Sequence, residues 1–133
     1  MRVFTDTNFL LSALITDGFS QRVFEEILEQ HEPVYSMRVR DELIRKLKTK
    51  FQVPNDRIHI LLYRIKTYGL VADAEKVKYK LRDANDEIIL ATAISEKAEV
   101  IVTGDKDLLS MNDSISEIEI LTPRQFWEKY HEP

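Results

Sequence analysis

Acidic side chains stand where a fold could gather them. Asp6 follows the short apolar run Val3-Phe4-Thr5, and Asp105 closes the run Val100-Ile101-Val102-Thr103-Gly104. Asp83 and Asp86 flank the start of an apolar helical segment, Asp107 lies two residues beyond Asp105, and Glu42 sits early in a segment with helical spacing. Two carboxylates about 4 Å apart repel by about 4 kcal/mol at an effective dielectric near 20. A group of them is tolerated where a divalent cation neutralises it or where some members stay protonated. The chain has no cysteine, and His31, His59 and His131 fall at no ligand spacing, which argues against zinc. All-oxygen coordination suits Mg²⁺ or Mn²⁺, which complete their shell with waters and substrate phosphate oxygens. A metal held this way orients a water, lowers its pKa and stabilises charge on a phosphoryl oxygen during in-line displacement. The chemistry expected of the constellation is metal-assisted hydrolysis of a phosphodiester.

Each acid also has a plain structural use. The chain carries 23 Asp and Glu residues, so an acid picked at random is a solvated or capping group. Asp86 favours its helix N-terminus by about 0.3–1 kcal/mol whatever else it does. Asp83 serves equally as a helix cap, Asp107 as a first-turn carboxylate, and Glu42, next to Asp41, as a solvent-facing pair. Asp6 and Asp105 are the strongest candidates, being single acids directly at strand ends. Phe126, Trp127 and Tyr130 read as core rather than as a base-stacking platform.

The elements that must position these residues alternate between strand and helix. Val3–Thr5 is a strand candidate, followed by a helical turn over Phe9–Ile15. Ser20 can cap a helix with Val23, Phe24, Ile27 and Leu28 on one face, after which Val34-Tyr35 is a brief strand. Ser36 caps a helix with Val39, Leu43, Leu47 and Phe51 at four-residue spacing, and Pro54 opens another that Gly69 is placed to end. Between Val77 and Arg82 apolar and basic residues alternate, the period of a strand with one wet, cationic face. The helix from Asp86 to about Lys97 is apolar nearly all round, which makes it central. Val100–Val102 reads as a fully buried strand and Ile118–Leu121 as the last one. Thr122-Pro123-Arg124-Gln125 combines a capping box with proline at the first helical position. This alternation predicts a parallel sheet covered by helices on both faces, with ligands bound beyond the carboxyl ends of the strands. Asp6, Asp105 and the start of the Asp86 helix would all meet at that edge.

Length and charge narrow the partners. At 133 residues the chain is one expected domain, 1–133, with enough surface to bury for a real core. The start has no basic region followed by an apolar one, and no apolar run approaches a membrane span, so the expectation is a soluble, cytoplasmic protein. Three glycines leave no room for a glycine-rich phosphate loop. The net charge of -4 hides an asymmetry, because residues 38–82 carry 13 Lys or Arg against 5 Asp or Glu. Arg38, Arg40, Lys80 and Arg82 are the candidates for phosphate contacts with a polyanion held beside the acidic pocket.

The motifs together resemble a known family. Asp6-Thr7-Asn8-Phe9-Leu10-Leu11-Ser12-Ala13-Leu14, Glu42-Leu43 in a helix after a serine, Asp83-Ala84-Asn85-Asp86, and Val102-Thr103-Gly104-Asp105-Lys106-Asp107-Leu108-Leu109 look like the successive motifs of the PIN domain family, in order across essentially the whole chain. The resemblance implies a three-layer α/β/α sandwich on a mainly parallel sheet of about five strands. It also implies Mg²⁺- or Mn²⁺-dependent cleavage of single-stranded RNA. It is nearest to stand-alone, VapC-like PIN proteins regarded as toxins of type II toxin–antitoxin pairs, which commonly dimerise and are inhibited by a small antitoxin. Carried over motif by motif, the catalytic and metal-binding acids fall on Asp6, Glu42, Asp86 and Asp105, with Asn8, Asp83, Thr103 and Asp107 in support. Ala84 and Asn85 stand where related sequences often have proline and a further aspartate. Asn85 can ligate through its carbonyl but brings no charge. A PIN-like scaffold that binds RNA or a protein without cutting is the alternative. A haloacid dehalogenase-type enzyme fits less well, because it needs a second acid where Asn8 stands. So does a receiver domain, which needs a mid-chain strand ending in aspartate.

Overall fold

Runs of β-branched and aromatic residues too short for helices build the sheet. The computed structural model describes residues 1–66 and 68–132. Strands β1 (Arg2–Thr5), β2 (Glu32–Ser36), β3 (Leu70–Val71), β4 (Val100–Val102) and β5 (Glu119–Leu121) form one parallel sheet in the order β3-β2-β1-β4-β5. Around it lie α1 (Thr7–Ile15), α2 (Phe19–Gln30), α3 (Met37–Thr49), α4 (Asn55–Lys66), α5 (Ala84–Ser95), α6 (Lys106–Leu109) and α7 (Pro123–Tyr130). The result is the expected three-layer α/β/α sandwich. β1 pairs with β2 on one side and β4 on the other, Thr5 opposite Val102. The chain winds outward through β2 and β3, then returns to the far side of β1 to lay down β4 and β5. The topological switch therefore falls between β1 and β4, and the first residues past both strands are the ones that face it.

Local signals account for most boundaries. Ser36 accepts from the Val39 N–H at 3.3 Å and starts α3, while Thr122 and Gln125 close a complete capping box on α7. α5 buries Ile89, Leu90, Ala91 and Ala93, in keeping with its all-round apolar sequence. Gly18, not Ser20, holds the N-cap position of α2, so Ser20 lies inside the first turn. Gly69 turns the chain after α4 with φ at +63°, and a Cβ there would sit 2.1 Å from the Pro33 carbonyl oxygen. Its own carbonyl accepts from the Tyr35 N–H at 3.1 Å, which brings the edge strand up to β2.

The strand expected over Val77–Arg82 is absent. That stretch is irregular, and the edge position beside β2 belongs to Leu70–Val71 instead. Its alternation has another origin. Tyr79 and Leu81 turn inward, Tyr79 donating its hydroxyl to Glu117 Oε1 at 2.6 Å and Leu81 lying buried, while Val77 is 44% exposed. The segment has to cross from β3 at the sheet edge back to α5, and a strand along β2 could not make that crossing.

Candidate metal centre

Asp6 ends β1 and occupies the N-cap position of α1, with its N–H bonded to the Val102 carbonyl at 3.2 Å. Its side chain caps nothing. It is 5% exposed, and Oδ2 accepts the Thr103 hydroxyl at 2.7 Å. Burial raises its carboxyl above the ordinary aspartate value, Asp105 and Glu42 push the same way, and the Thr103 and backbone hydrogen bonds oppose them. Thr103 is fully buried just past β4, and the same Oγ that donates to Asp6 accepts the Asp105 N–H at 3.0 Å. One hydroxyl thus locks the ends of the two central strands into a fixed relation.

Asp105 opens α6. Its Oδ1 accepts the Asp107 and Leu108 N–H groups at 2.8 and 3.2 Å, which leaves Oδ2 outside the cap. Asp86 lies in the first turn of α5, 5% exposed. Burial pushes its carboxyl up to about 7, and the charges of Asp105, Asp83, Asp6 and Asp107 add to that. Oxygen atoms of Asp86, Asp105 and Asp107 all lie within 4.8 Å of one another. The donor set is carboxylate throughout, with no sulfur and no imidazole, which fits a hard divalent cation. Asp107, expected only in support, is a full member of this triad. The signal for it lay in its position two residues after the capping Asp105, where a first-turn residue points back toward the cap.

The opposite wall comes from α3. Glu42 is half-buried, with Oε1 paired to Lys46 Nζ at 3.1 Å and Oε2 accepting from Asn85 Nδ2 at 3.3 Å. Lys46 Nζ also donates to Asn8 Oδ1 at 3.0 Å, so Asn8 reaches the site through a lysine. Asp83 is an N-cap, accepting the Asn85 N–H at 2.8 Å, and it adds negative charge near Asp86. A cleft of about 510 Å³ runs between Arg38, Glu42, Arg45, Asp73, Asp83 and Asn85. Arg38 Nη1 donates to Asn85 Oδ1 at 3.1 Å, and its buried Nε has no partner among the described residues.

The other cations are placed differently. Arg40, two residues from Arg38 and so some 200° round the helix, leaves the acid cleft. It lines a groove of about 790 Å³ with Tyr35, Met37, His59, Leu62 and Tyr63. Lys80 is nearly fully exposed and approaches Glu87 at 3.8 Å, and Arg82 is exposed ahead of Asp83. Arg45 and Lys46, which the sequence offers only as part of a basic run, do face the site. The Glu42–Lys46 spacing of four was the available sign.

The PIN domain family model matches residues 2–107, and the chain belongs to the PIN domain family. The matched span holds Asp6, Glu42, Asp86, Asp105 and Asp107. The chain is 24% identical to the uncharacterized protein MJ1680 of Methanocaldococcus jannaschii over 143 aligned positions, covering 98% of this chain and 92% of that one. Among solved structures it resembles VapBC2 from Rickettsia felis bound to a DNA fragment from its promoter, with a TM-score of 0.66 and 16% identity. That likeness, which is one of fold, covers 90% of this chain and 97% of the other. No helix among the described residues is long and apolar enough to cross a membrane.

Proposed function

We propose that this chain is an endoribonuclease dependent on Mg²⁺ or Mn²⁺ that cuts single-stranded RNA, and that it acts in the cytoplasm as the toxin of a toxin–antitoxin pair. The observation that carries the reading is the meeting of Asp86, Asp105 and Asp107 within 4.8 Å at the switch point, with buried Asp6 beside them. These four acids would hold the metal directly or through water. When bound, the cation supplies Lewis acidity toward a phosphoryl oxygen and lowers the pKa of a water.

The remaining work falls to the chain's own groups. Thr103 fixes the Asp6 carboxylate and the backbone of Asp105, so two of the acids cannot drift independently. Glu42, on the facing wall, would ligate the metal or help position the attacking water. Asn8 and Asn85 orient that wall by hydrogen bonds. Arg38 and Arg45 line the cleft and would bind phosphates next to the scissile bond, with Lys80 and Arg82 available to the strand beyond. The likeness to VapBC2 supports a small protein partner that silences the site, and a homodimer is the expected assembly.

The test is cleavage of a fluorescent single-stranded RNA by purified chain with Mn²⁺. Cleavage should stop with EDTA and fall by at least about a hundredfold in Asp105→Asn and Glu42→Gln. Equal cleavage by the variants, or RNA retention that survives chelation with no cutting by the wild type, would overturn the reading in favour of a non-cleaving scaffold.

A further inference from the structure

We propose that Lys46 takes the place of a second divalent cation in the acid pocket, so that the site is built to hold one metal ion rather than two. The inference rests on the metal-dependent reading above and concerns the same site. The acids fall into two groups. Asp86, Asp105 and Asp107 bring their oxygens together, and among the described residues no Lys or Arg lies within ion-pair distance of them. No side-chain cation among the described residues offsets the charge of that group.

The Glu42 side is already compensated. Lys46 Nζ bridges Glu42 Oε1 at 3.1 Å and Asn8 Oδ1 at 3.0 Å, joining a residue of α3 to one of α1 through a single positive charge. A cation bound there would use those same oxygens. The other Glu42 oxygen accepts from Asn85 Nδ2, and the Asn85 carbonyl accepts from Arg38 Nη1. Asn85 therefore spends its donor and its acceptor inside the wall and adds no charge to attract an ion. A second divalent ion would enter beside Arg38, Arg45 and Lys46 to meet Glu42, whose charge is already paired. The other acids of the cleft are engaged as well: Asp41 pairs with Arg40, Asp73 accepts the Arg38 N–H and Asp83 accepts the Asn85 N–H. Mg²⁺ and Mn²⁺ shed water reluctantly and need an excess of anionic oxygen to do so. Two-metal sites clamp a phosphoryl group between two positive centres. Here one centre would be the ion on the aspartates and the other the Lys46 ammonium, which also positions Glu42.

Calorimetric titration of metal-free chain with Mn²⁺, together with electron paramagnetic resonance of the loaded chain, tests this without measuring activity. The wild type should bind one Mn²⁺ with an isolated-ion spectrum, and Lys46→Arg should keep that stoichiometry. Lys46→Met combined with Asn85→Asp should admit a second Mn²⁺ at least about tenfold more tightly than the wild type does, with spin coupling between the two ions. Two tightly bound ions in the wild type overturn the proposal. So does a single ion in a double variant, whose retained first site reports that it is folded. A wild type that binds no Mn²⁺ overturns the metal-dependent reading itself, a result distinct from both.

Discussion

Replacing Asp86 by asparagine is expected to stabilise the metal-free fold at alkaline pH. Asp86 is 5% exposed, and its carboxyl is pushed from 3.8 up to about 7, first by burial and then by the charges of Asp105, Asp83, Asp6 and Asp107. Below about pH 4 the group is protonated in the folded chain and mostly so in the unfolded one. Between about pH 4 and 7 the unfolded chain releases a proton that the folded chain keeps, so stability falls as the pH rises. Above about pH 7 both forms are ionised and the loss is complete. At about 1.4 kcal/mol per pKa unit, the interval from 3.8 to about 7 is worth about 4 kcal/mol. Asparagine removes the charge and keeps the volume, but its amide hydrogens need partners, which costs about 1–3 kcal/mol. A net gain of about 2 kcal/mol remains, raising Tm by about 6–10 °C for a chain of this length. Thermal melts with chelator present should place Asp86→Asn above the wild type at about pH 8 and below it near pH 4. There the wild-type carboxyl is neutral and only the amide cost of about 1–3 kcal/mol remains, so that the two curves cross in between. Saturating Mn²⁺ should reverse the order, because ligand at a hundred times its Kd adds about 2.7 kcal/mol to the chain that binds it. An Asp86→Asn protein melting at or below the wild type at about pH 8 without metal would show that the buried Asp86 charge does not destabilise the fold.

Three further outcomes follow from the geometry. Gly69→Ala should cost more than about 2 kcal/mol in urea unfolding, because φ is +63° and the new Cβ would meet backbone at 2.1 Å. Thr103→Val removes the hydroxyl shared by Asp6 and Asp105, and should weaken Mn²⁺ binding in calorimetry by about 10–100-fold. Arg38→Ala should flatten the log–log salt dependence of RNA binding, measured with chelator, by about 0.7. Arg40→Ala, on the other side of α3, should leave that slope unchanged.

What could be read in advance followed from how local each signal was. β1, β4 and α5 are apolar enough to be buried wherever they fall, and once parallel strands are inferred, Asp6 and Asp105 come to one edge by topology alone. The edge strand was different. Leu70–Val71 has two residues and no period, and it exists because Gly69 reaches a backbone conformation that brings it to Tyr35. Val77–Arg82 shows a strand-like period because Tyr79 and Leu81 anchor a crossing segment. The cations were legible as a basic stretch but not as individuals. Which of Arg38, Arg40, Arg45 and Lys46 faces the acids depends on the rotation of α3, and the pairing of Lys46 with Asn8 joins residues 38 positions apart.

The proposed chemistry requires a metal ion held by carboxylates at the junction of β1 and β4. Anomalous scattering from crystals of the chain soaked in Mn²⁺ tests that most directly. The expected result is a peak about 2.1 Å from oxygens of Asp86, Asp105 and Asp107 or Asp6. Peaks confined to other parts of the surface, or these aspartates turned away from one another with no peak between them, would contradict it.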